Sequence, residues 1–352
     1  MRLRSVGASI IALAFFSWPL ASTPGAAKGS AAAGQVRGPL VPPSAPDAPA
    51  QDGQQAPQDQ LPQAGKSLQV QTTIVNVFAT VRGKHGDIMS DLSKDDFKVF
   101  EDGAEQKLAY FTKQVDLPIT LALLMDTSGS MYRIMNAEQD AATRFVRAVM
   151  RKRDEAIVMS FDTDVNLLAD FTEDQSVLDH AIHRAQVNAA GPVITPGTIP
   201  QNGGGTNLYD AVFLACHDEL GSEAGRKAVI LLTDAEDTGS KVRLEEAVEA
   251  AQRADAVIHV ILITDFGATE GYGPGVAAKM SGDTGGRVMA VRNEKGLEKA
   301  FDEISTELRS QYVLGYYPAN TKHDGTFRKI KVDVSRPDAK VLARKGYYAP
   351  VQ

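Results

Sequence analysis

The segment LLMDTSGSM, residues 123–131, places three oxygen-bearing side chains directly after an apolar run. Asp126, Ser128 and Ser130 supply a carboxylate and two hydroxyls at every second position. The preceding residues, LPITLALLMD (117–126), are almost all apolar and are typical of a buried strand. In open α/β sheets, ligands bind beyond the carboxyl ends of the strands. The segment therefore predicts a binding site at the edge of such a sheet.

Two further segments add oxygen ligands of the same kind. Asp234 ends the apolar run KAVILLTD (227–234), and Thr206 follows the flexible sequence NGGG. The combined set suits Mg²⁺, with Mn²⁺ or Ca²⁺ possible, and argues against Zn²⁺ or Cu²⁺, because it offers hard oxygens without nitrogen or sulfur. The predicted metal ligands are Asp126, Ser128, Ser130, Thr206 and Asp234.

Each segment also has a simpler interpretation. Asp126 and Thr206 could cap the helices that follow them, and the serines could satisfy free backbone N–H groups. Asp234 could begin an ordinary turn, and a D-x-S-x-S match alone is a weak signal. These separate interpretations do not explain why all three segments fall at one edge of the same predicted sheet.

The elements that position these residues alternate between strand and helix. Their mostly apolar strands predict an α/β fold with a doubly wound, mostly parallel sheet. The predicted strands are 117–126, 155–161, 227–234, 256–264 and 286–291. The predicted helices are 134–149, 174–185, 207 to about 220, 242–254 and 294–310.

Both flanks of this region are rich in short strands. LQVQTTIVNVFATVRG (68–83) alternates in hydrophobicity, and DDFKVFEDGAEQKLAYF (95–111) predicts two strands around an Asp-Gly turn. The chain returns to strand patterns after Ser310. Neither flank is long enough for its own core, so we expect residues 67–115 and 313–352 to form one small β-sandwich. The α/β region, 116–312, would then be an insertion.

The N-terminus has the features of an export signal. Arg2 and Arg4 precede the apolar stretch 6–16, and small residues follow, which predicts a signal peptide over 1–27. An uncleaved membrane anchor is the alternative, but the stretch is shorter than the ~20 residues of a spanning helix. Residues 28–66 are rich in Pro, Ala and Gln and contain no aromatic residue, which predicts a disordered linker. We expect an exported protein that is periplasmic, surface-bound or extracellular.

Composition excludes several classes of function. The net charge is -7, which argues against a nucleic-acid partner. Cys216 is the only cysteine, so the chain forms no internal disulfide, and its apolar surroundings predict a buried structural thiol. None of the six histidines lies in the three site segments, and no common hydrolase or nucleotide-binding motif is present. His180 and His183 have helical spacing, but we interpret them as part of a solvated face.

The segments MDTSGSM, GGTNLYDAV and LLTD resemble the three metal-site segments of a von Willebrand factor type A domain. The resemblance covers roughly residues 117–312, and DFKVFEDG, YVLGYYP and RKGYYAP are similar to the flanks of a bacterial secreted subfamily. In that family the site is called a metal-ion-dependent adhesion site, with Asp126, Ser128 and Ser130 matching its first segment, Thr206 its second and Asp234 its third. One departure follows Asp234, where many members have Gly and this chain has Ala235, Glu236 and Asp237.

The resemblance implies a metal-dependent protein-binding module. A divalent cation would keep an open position that an Asp or Glu carboxylate of a protein partner fills, without a small-molecule cofactor and without catalysis. A structural module of the cell envelope, in which the metal only braces the loops, is the alternative. A metal-dependent hydrolase is the less favoured third possibility, with Glu236 as its only credible base.

Overall fold

The computed structural model describes residues 74–113, 117–187, 205–264 and 273–351. All of them belong to one compact unit, Leu68–Gln352. The predicted signal peptide (1–27) and linker (28–66) lie outside the described residues and remain predictions. Within the described part, no helix is both long and apolar enough to cross a membrane.

Four short strands lie near the N-terminal end of the described chain. In the first, Val75, Val77, Ala79 and Val81 are buried, and of the residues between them only Thr80 is buried as well. The predicted Asp-Gly turn is present between the second and third strands, with positive φ at both residues. The strands are β1 (Val75–Arg82), β2 (Phe97–Glu101), β3 (Ala104–Gln106) and β4 (Leu108–Lys113).

The central region alternates strands with helices. Its first half contains β5 (Ile119–Asp126), α1 (Met135–Val149), β6 (Glu155–Phe161), β7 (Val165–Thr172), α2 (Gln175–Arg184) and α3 (Leu208–Leu214). Its second half contains β8 (Arg226–Thr233), α4 (Leu244–Arg253), β9 (Ala256–Ile263), α5 (Gly273–Thr284), β10 (Val288–Val291) and α6 (Glu294–Arg309).

One six-stranded sheet organises this region, in the order β10-β9-β8-β5-β6-β7. All neighbours are parallel except β7, which runs antiparallel to β6. Helices α1, α2 and α6 pack on one face, and α3, α4 and α5 pack on the other. All eight residues of β5 are therefore buried, which explains its continuous apolar run. The predicted doubly wound, mostly parallel sheet is confirmed.

Two elements of this region are absent from the sequence prediction. Strand β7 is a half-exposed edge strand with two irregularities in its pairing to β6, so its sequence lacks a clear alternation. Helix α5 begins with Gly273, Pro274 and Gly275, which are typical of turns. The helix predicted from 207 to about 220 is present, but after Leu214 it continues as a π-helical turn and then a 3-10 turn.

The chain returns to β structure after α6. The last strands are β11 (Tyr312–Tyr316), β12 (Phe327–Val334), β13 (Lys340–Ala343) and β14 (Gly346–Tyr348). They pair with the first four strands in two antiparallel sheets, β13-β1-β11-β4 and β14-β12-β2-β3. The two sheets share one apolar core, so the strands from both ends of the chain form a sandwich. The exact domain boundaries at 115/116 and 312/313 remain predictions.

The sandwich and the central region meet at α6 and β1. Arg82 of β1 forms ion pairs with Glu303 and Glu307 of α6, and Arg287 pairs with the same two carboxylates. Glu307 is fully buried. Only Ser310 and Gln311 separate α6 from β11. Helix α6 is therefore fixed to the sandwich by both charge pairs and a very short connection.

Candidate metal centre

Asp126 forms the base of the candidate site. It is the last residue of β5 and is fully buried. Its Oδ1 accepts a hydrogen bond of 2.9 Å from the backbone N–H of Ser128, and its Oδ2 accepts one of 2.6 Å from the hydroxyl of Thr233. Each carboxylate oxygen keeps a second lone pair for another donor or a cation. The side chain is thus held in one orientation at the end of the strand.

The three predicted segments meet because of the strand order. The chain passes from β5 to β6 on one side and later returns as β8 on the other, so β5 lies where the order reverses. The parallel register brings the ends of the three strands together: Asp126 is paired with Phe161, and Met125 with Leu232. A topological switch point of this kind is the usual ligand position in an open α/β sheet.

The two serine hydroxyls lie side by side. Ser128 has an extended backbone and precedes a 3-10 turn over Gly129–Arg133, which places Ser130 next to it. Their Oγ atoms are 3.0 Å apart. Two adjacent ligands of an octahedral cation at about 2.1 Å are also roughly 3.0 Å apart. The spacing therefore suits joint coordination of one small cation.

Thr206 is tied to the loops on both sides of it. Its N–H donates to the hydroxyl of Thr238 at 2.9 Å, and its carbonyl accepts from the N–H of Thr238 at 3.0 Å. The next residue, Asn207, donates its N–H to the carbonyl of Asp162 at 2.7 Å. These backbone bonds hold the Thr206 segment between the loops that follow β6 and β8.

One cavity of about 310 Å³ joins these segments. Four of the five predicted ligands line it, and Asp126 supports Ser128 from the buried side. A larger cleft of about 760 Å³ lies between β12 and α4, but no predicted ligand contributes to it. The smaller cavity is lined by Ser128, Gly129, Ser130, Asp162, Thr163, Gly205, Thr206, Asp234, Glu236 and Thr238.

The structure separates the roles of the acids after Asp234. Glu236 is exposed and lines the cavity, and its N–H donates to Oδ1 of Asp234 at 3.1 Å. Asp237 turns away, accepting from the N–H of Tyr209 at the start of α3 and from the hydroxyl of Ser240. Ala235 has a φ of +60, a conformation that glycine adopts at lower cost. Only Glu236 of this pair is placed to affect a bound ligand.

Several residues of the site were not predicted from the sequence. Thr233 orients Asp126, and Asp162 accepts a 3.1 Å hydrogen bond from Thr127 while lining the cavity. Asp162 directly follows β6, so the rule that identified Asp126 and Asp234 could have found it. Gly273 lets α5 approach the loop after β8, because a Cβ there would lie 2.4 Å from the carbonyl oxygen of Asp234.

Without a cation, two carboxyl groups at or near the site are unfavourable to ionise. The pKa of Asp126 is raised to about 6, mainly by burial and to a smaller extent by the nearby charge of Asp234, while hydrogen bonds from Ser128 and Thr233 act to lower it. Burial also raises the pKa of Glu138, in the first turns of α1, to about 8, with the charges of Asp126 and Asp234 adding to the effect. A positive charge at the site would relieve both groups.

The donor chemistry fits a hard divalent cation. Hydroxyls and carboxylates surround the cavity, and Mg²⁺ prefers such oxygen ligands. Among the described residues, no group of three His, Cys, Asp or Glu side chains is arranged to hold a metal. The candidate site therefore depends on its serine and threonine hydroxyls. His180 and His183 lie outside it, with each Nδ1 close to the backbone carbonyl four residues earlier.

Comparisons with known proteins give one family match. Residues 121–236 match the von Willebrand factor type A domain. No curated protein matches the chain.

Three solved structures that resemble this chain have TM-scores below 0.5. A protein from the mussel byssus, solved with zinc in its metal-ion-dependent adhesion site (MIDAS) motif, is 15% identical to this chain, with a TM-score of 0.41. The alignment covers 56% of this chain and 49% of that protein, so this chain spans about half of its length. The vWF domain of the pilus tip protein Mfa5 from Porphyromonas gingivalis is 13% identical, with coverages of 55% and 96% and a TM-score of 0.42. BatB from Bacteroides thetaiotaomicron is 18% identical, with coverages of 55% and 100% and a TM-score of 0.40.

Proposed function

Because this chain contains a von Willebrand factor type A domain over residues 121–236, we propose that it is a metal-dependent protein-binding module. The cation would be Mg²⁺, with Mn²⁺ or Ca²⁺ as alternatives. Its ligands would be Ser128, Ser130 and Thr206, together with Asp126 and Asp234 directly or through water. The partner would be a protein that offers an Asp or Glu carboxylate.

A single observation carries this proposal. Three hydroxyls from two separate loops line one cavity at the carboxyl end of the sheet, above a carboxylate that is fully buried. Hydroxyls are neutral ligands, so they leave most of the charge of a bound cation uncompensated. Such a cation would supply an electrophilic centre for an incoming carboxylate. The chain's own residues orient the site: Thr233 and the N–H of Ser128 fix Asp126, and the Thr238 loop fixes Thr206.

Binding is favoured over a purely bracing role of the metal. Direct hydrogen bonds already connect the Thr206 segment to the loops on both sides of it, so these loops are braced by the protein itself. Beyond Ser130, Tyr132 is 73% exposed, which leaves a large aromatic side chain free to contact a partner.

We propose no catalytic reaction at this site. No histidine lines the described cavity, and Glu236 is its only exposed acid that could act as a base. The partner's carboxylate would act as a ligand and would remain unchanged. We propose, from the predicted signal peptide, that the protein acts outside the cytoplasm, in the periplasm, at the cell surface or in the medium.

The first test measures metal binding by the full chain. A ligand that binds the folded state alone stabilises it by about 2.7 kcal/mol at 100 times its Kd. We expect Mg²⁺ and Mn²⁺ to raise the melting temperature of the wild type and not that of Asp126→Asn, which preserves the shape of the side chain. Asp140→Asn is the control, since Asp140 is exposed on α1. Equal shifts in wild type and Asp126→Asn would refute the site.

The second test measures carboxylate capture. A short peptide with a single Asp is titrated into the ¹⁵N-labelled protein with Mg²⁺ and again with excess chelator. We expect the peptide to cause chemical-shift changes at Ser128–Ser130 and Thr206 when Mg²⁺ is present and none when it is chelated. The same peptide with Asn in place of Asp should cause none. Metal binding without any response to the Asp peptide would favour the bracing role.

A further inference from the structure

Glu138 is an unusual side chain of this protein. It lies in α1, one turn after Met135, and none of its surface is exposed. Neither of its carboxylate oxygens has a hydrogen-bond partner in the described part of the chain. A buried carboxylate without a partner costs several kcal/mol, so such a group calls for a physical explanation.

Other buried acids of this protein have at least one charged or hydrogen-bonding partner. Glu307 pairs with Arg82 and Arg287, and Asp154 accepts from the backbone N–H groups of Ile119 and Arg151 and pairs with Arg309. Glu101 accepts from the hydroxyls of two tyrosines. Glu138 has no such partner among the described residues.

A ladder of backbone hydrogen bonds runs from the carbonyl of Ser128 through Met131 and Ile134 to the N–H of Glu138, so this buried side chain lies near the start of the helix that follows the candidate metal centre. The charges that act on it come from Asp126 and Asp234, the two carboxylates of that centre, and both are negative. Among the described residues, no lysine or arginine forms an ion pair with Glu138. The missing counter-charge is therefore the one that a divalent cation at the site would provide.

We propose that Glu138 is a third carboxylate of the metal site, where it accepts hydrogen bonds from water molecules that complete the shell of the cation on its buried side. This inference rests on the proposed metal site. Mg²⁺ normally keeps several waters, and these waters need acceptors when they face the protein interior. Glu138 is a positioning residue that acts through water. Once ionised in the metal-bound protein, it would also favour a divalent over a monovalent cation.

The test is a calorimetric titration of Mg²⁺ and Mn²⁺ into the full chain. Glu138→Gln keeps the size of the side chain and removes its charge, and Asp140→Asn makes the same change two residues later on the exposed face of α1. Loss of a group that orients metal ligands typically weakens metal affinity 10–100-fold. We expect Glu138→Gln to weaken both metals about 10-fold, and Asp140→Asn to change them less than about twofold.

Two further measurements separate this role from a structural one. The melting temperature without metal should not fall in Glu138→Gln, because the variant removes an unpartnered buried acid. Titrations in buffers of different ionisation enthalpy should show fewer protons released per Mg²⁺ in Glu138→Gln than in wild type. A merely structural residue would change stability and leave proton release unaltered.

The outcomes distinguish this inference from the proposed function. If the wild type binds neither metal, the proposed function is wrong and the role of Glu138 falls with it. If the wild type binds and Glu138→Gln binds equally tightly, only the role of Glu138 is wrong. Equal weakening by Glu138→Gln and Asp140→Asn would also overturn it, because the effect would then be general electrostatics.

Discussion

The metal-free protein should lose stability as the pH rises toward 8, and Glu138 should be the cause. In the unfolded chain this carboxyl loses its proton near its ordinary pKa of 4.5, whereas burial and two neighbouring carboxylates hold the pKa in the folded protein at about 8. Between these values the folded protein binds more protons than the unfolded chain. Stability therefore falls with increasing pH.

The best window for the measurement runs from about pH 6.5 to about pH 8. Below it, His259 has the opposite effect, because burial lowers its pKa from 6.5 to about 3 and makes stability rise with pH. Asp126 has a folded-state pKa of about 6, so most of its carboxyl groups are already ionised at the lower limit of this pH window. For one group the cost is about 1.4 kcal/mol per pH unit well below the folded-state pKa and about half of that near pH 8. We therefore expect a loss of about 2 kcal/mol.

Urea denaturation of the full chain with excess chelator measures this loss directly. The free energy of unfolding should fall across the window in wild type and in Asp140→Asn, and it should stay nearly constant in Glu138→Gln. Saturating Mg²⁺ should flatten the wild-type profile, since a cation favours the ionised carboxylate. A wild-type slope that persists unchanged in Glu138→Gln would refute the reasoning.

Three further predictions concern the rest of the molecule. Arg82→Met should lower the free energy of unfolding in urea by about 2 kcal/mol, because Glu307 loses a buried partner. Breaking the exposed pair of Arg144 and Glu298 should cost less than about 0.5 kcal/mol, and equal effects of the two changes would contradict the buried network. Tyr132→Ala should leave Mg²⁺ affinity unchanged and weaken capture of a protein partner from an envelope extract. Unchanged capture would show that Tyr132 does not contact the partner. Residues 116–312 expressed alone should give a soluble domain, while 67–115 alone should be unfolded; a well-dispersed NMR spectrum from 67–115 would disprove the shared sandwich.

The fold was predictable where the physical pattern was strong. A strand such as β5 is buried on both faces, so its apolar run has only one good explanation. Edge strand β7 has no such constraint, and its irregular pairing with β6 removes the alternation that marks a half-buried strand. Helix α5 was missed because its opening glycines resemble a turn, although Gly273 is needed there for close packing against the loop of Asp234.

The candidate site was predictable to the extent that its residues follow strands. Asp126 and Asp234 stand at strand ends, where ligands of α/β sheets are expected. Thr233 and Glu138 were missed for different reasons. In the sequence, Thr233 looks like an ordinary β-branched strand residue. The helical pattern around Glu138 does not identify it as either a site residue or a surface residue. Their roles depend on which side chains meet in space.

The arrangement of β1 and β11 has a mechanical consequence for the proposed protein-binding module. Tension applied at the first strand enters at Val75, and tension from the central region enters β11 at Tyr312. In their antiparallel register Val75 faces Tyr316 and Ala79 faces Tyr312, so the two forces pull from opposite ends of the paired segment. The hydrogen bonds between antiparallel strands are perpendicular to them. They are therefore loaded together in shear, and the sandwich should resist pulling far better than if its strands were peeled apart one bond at a time.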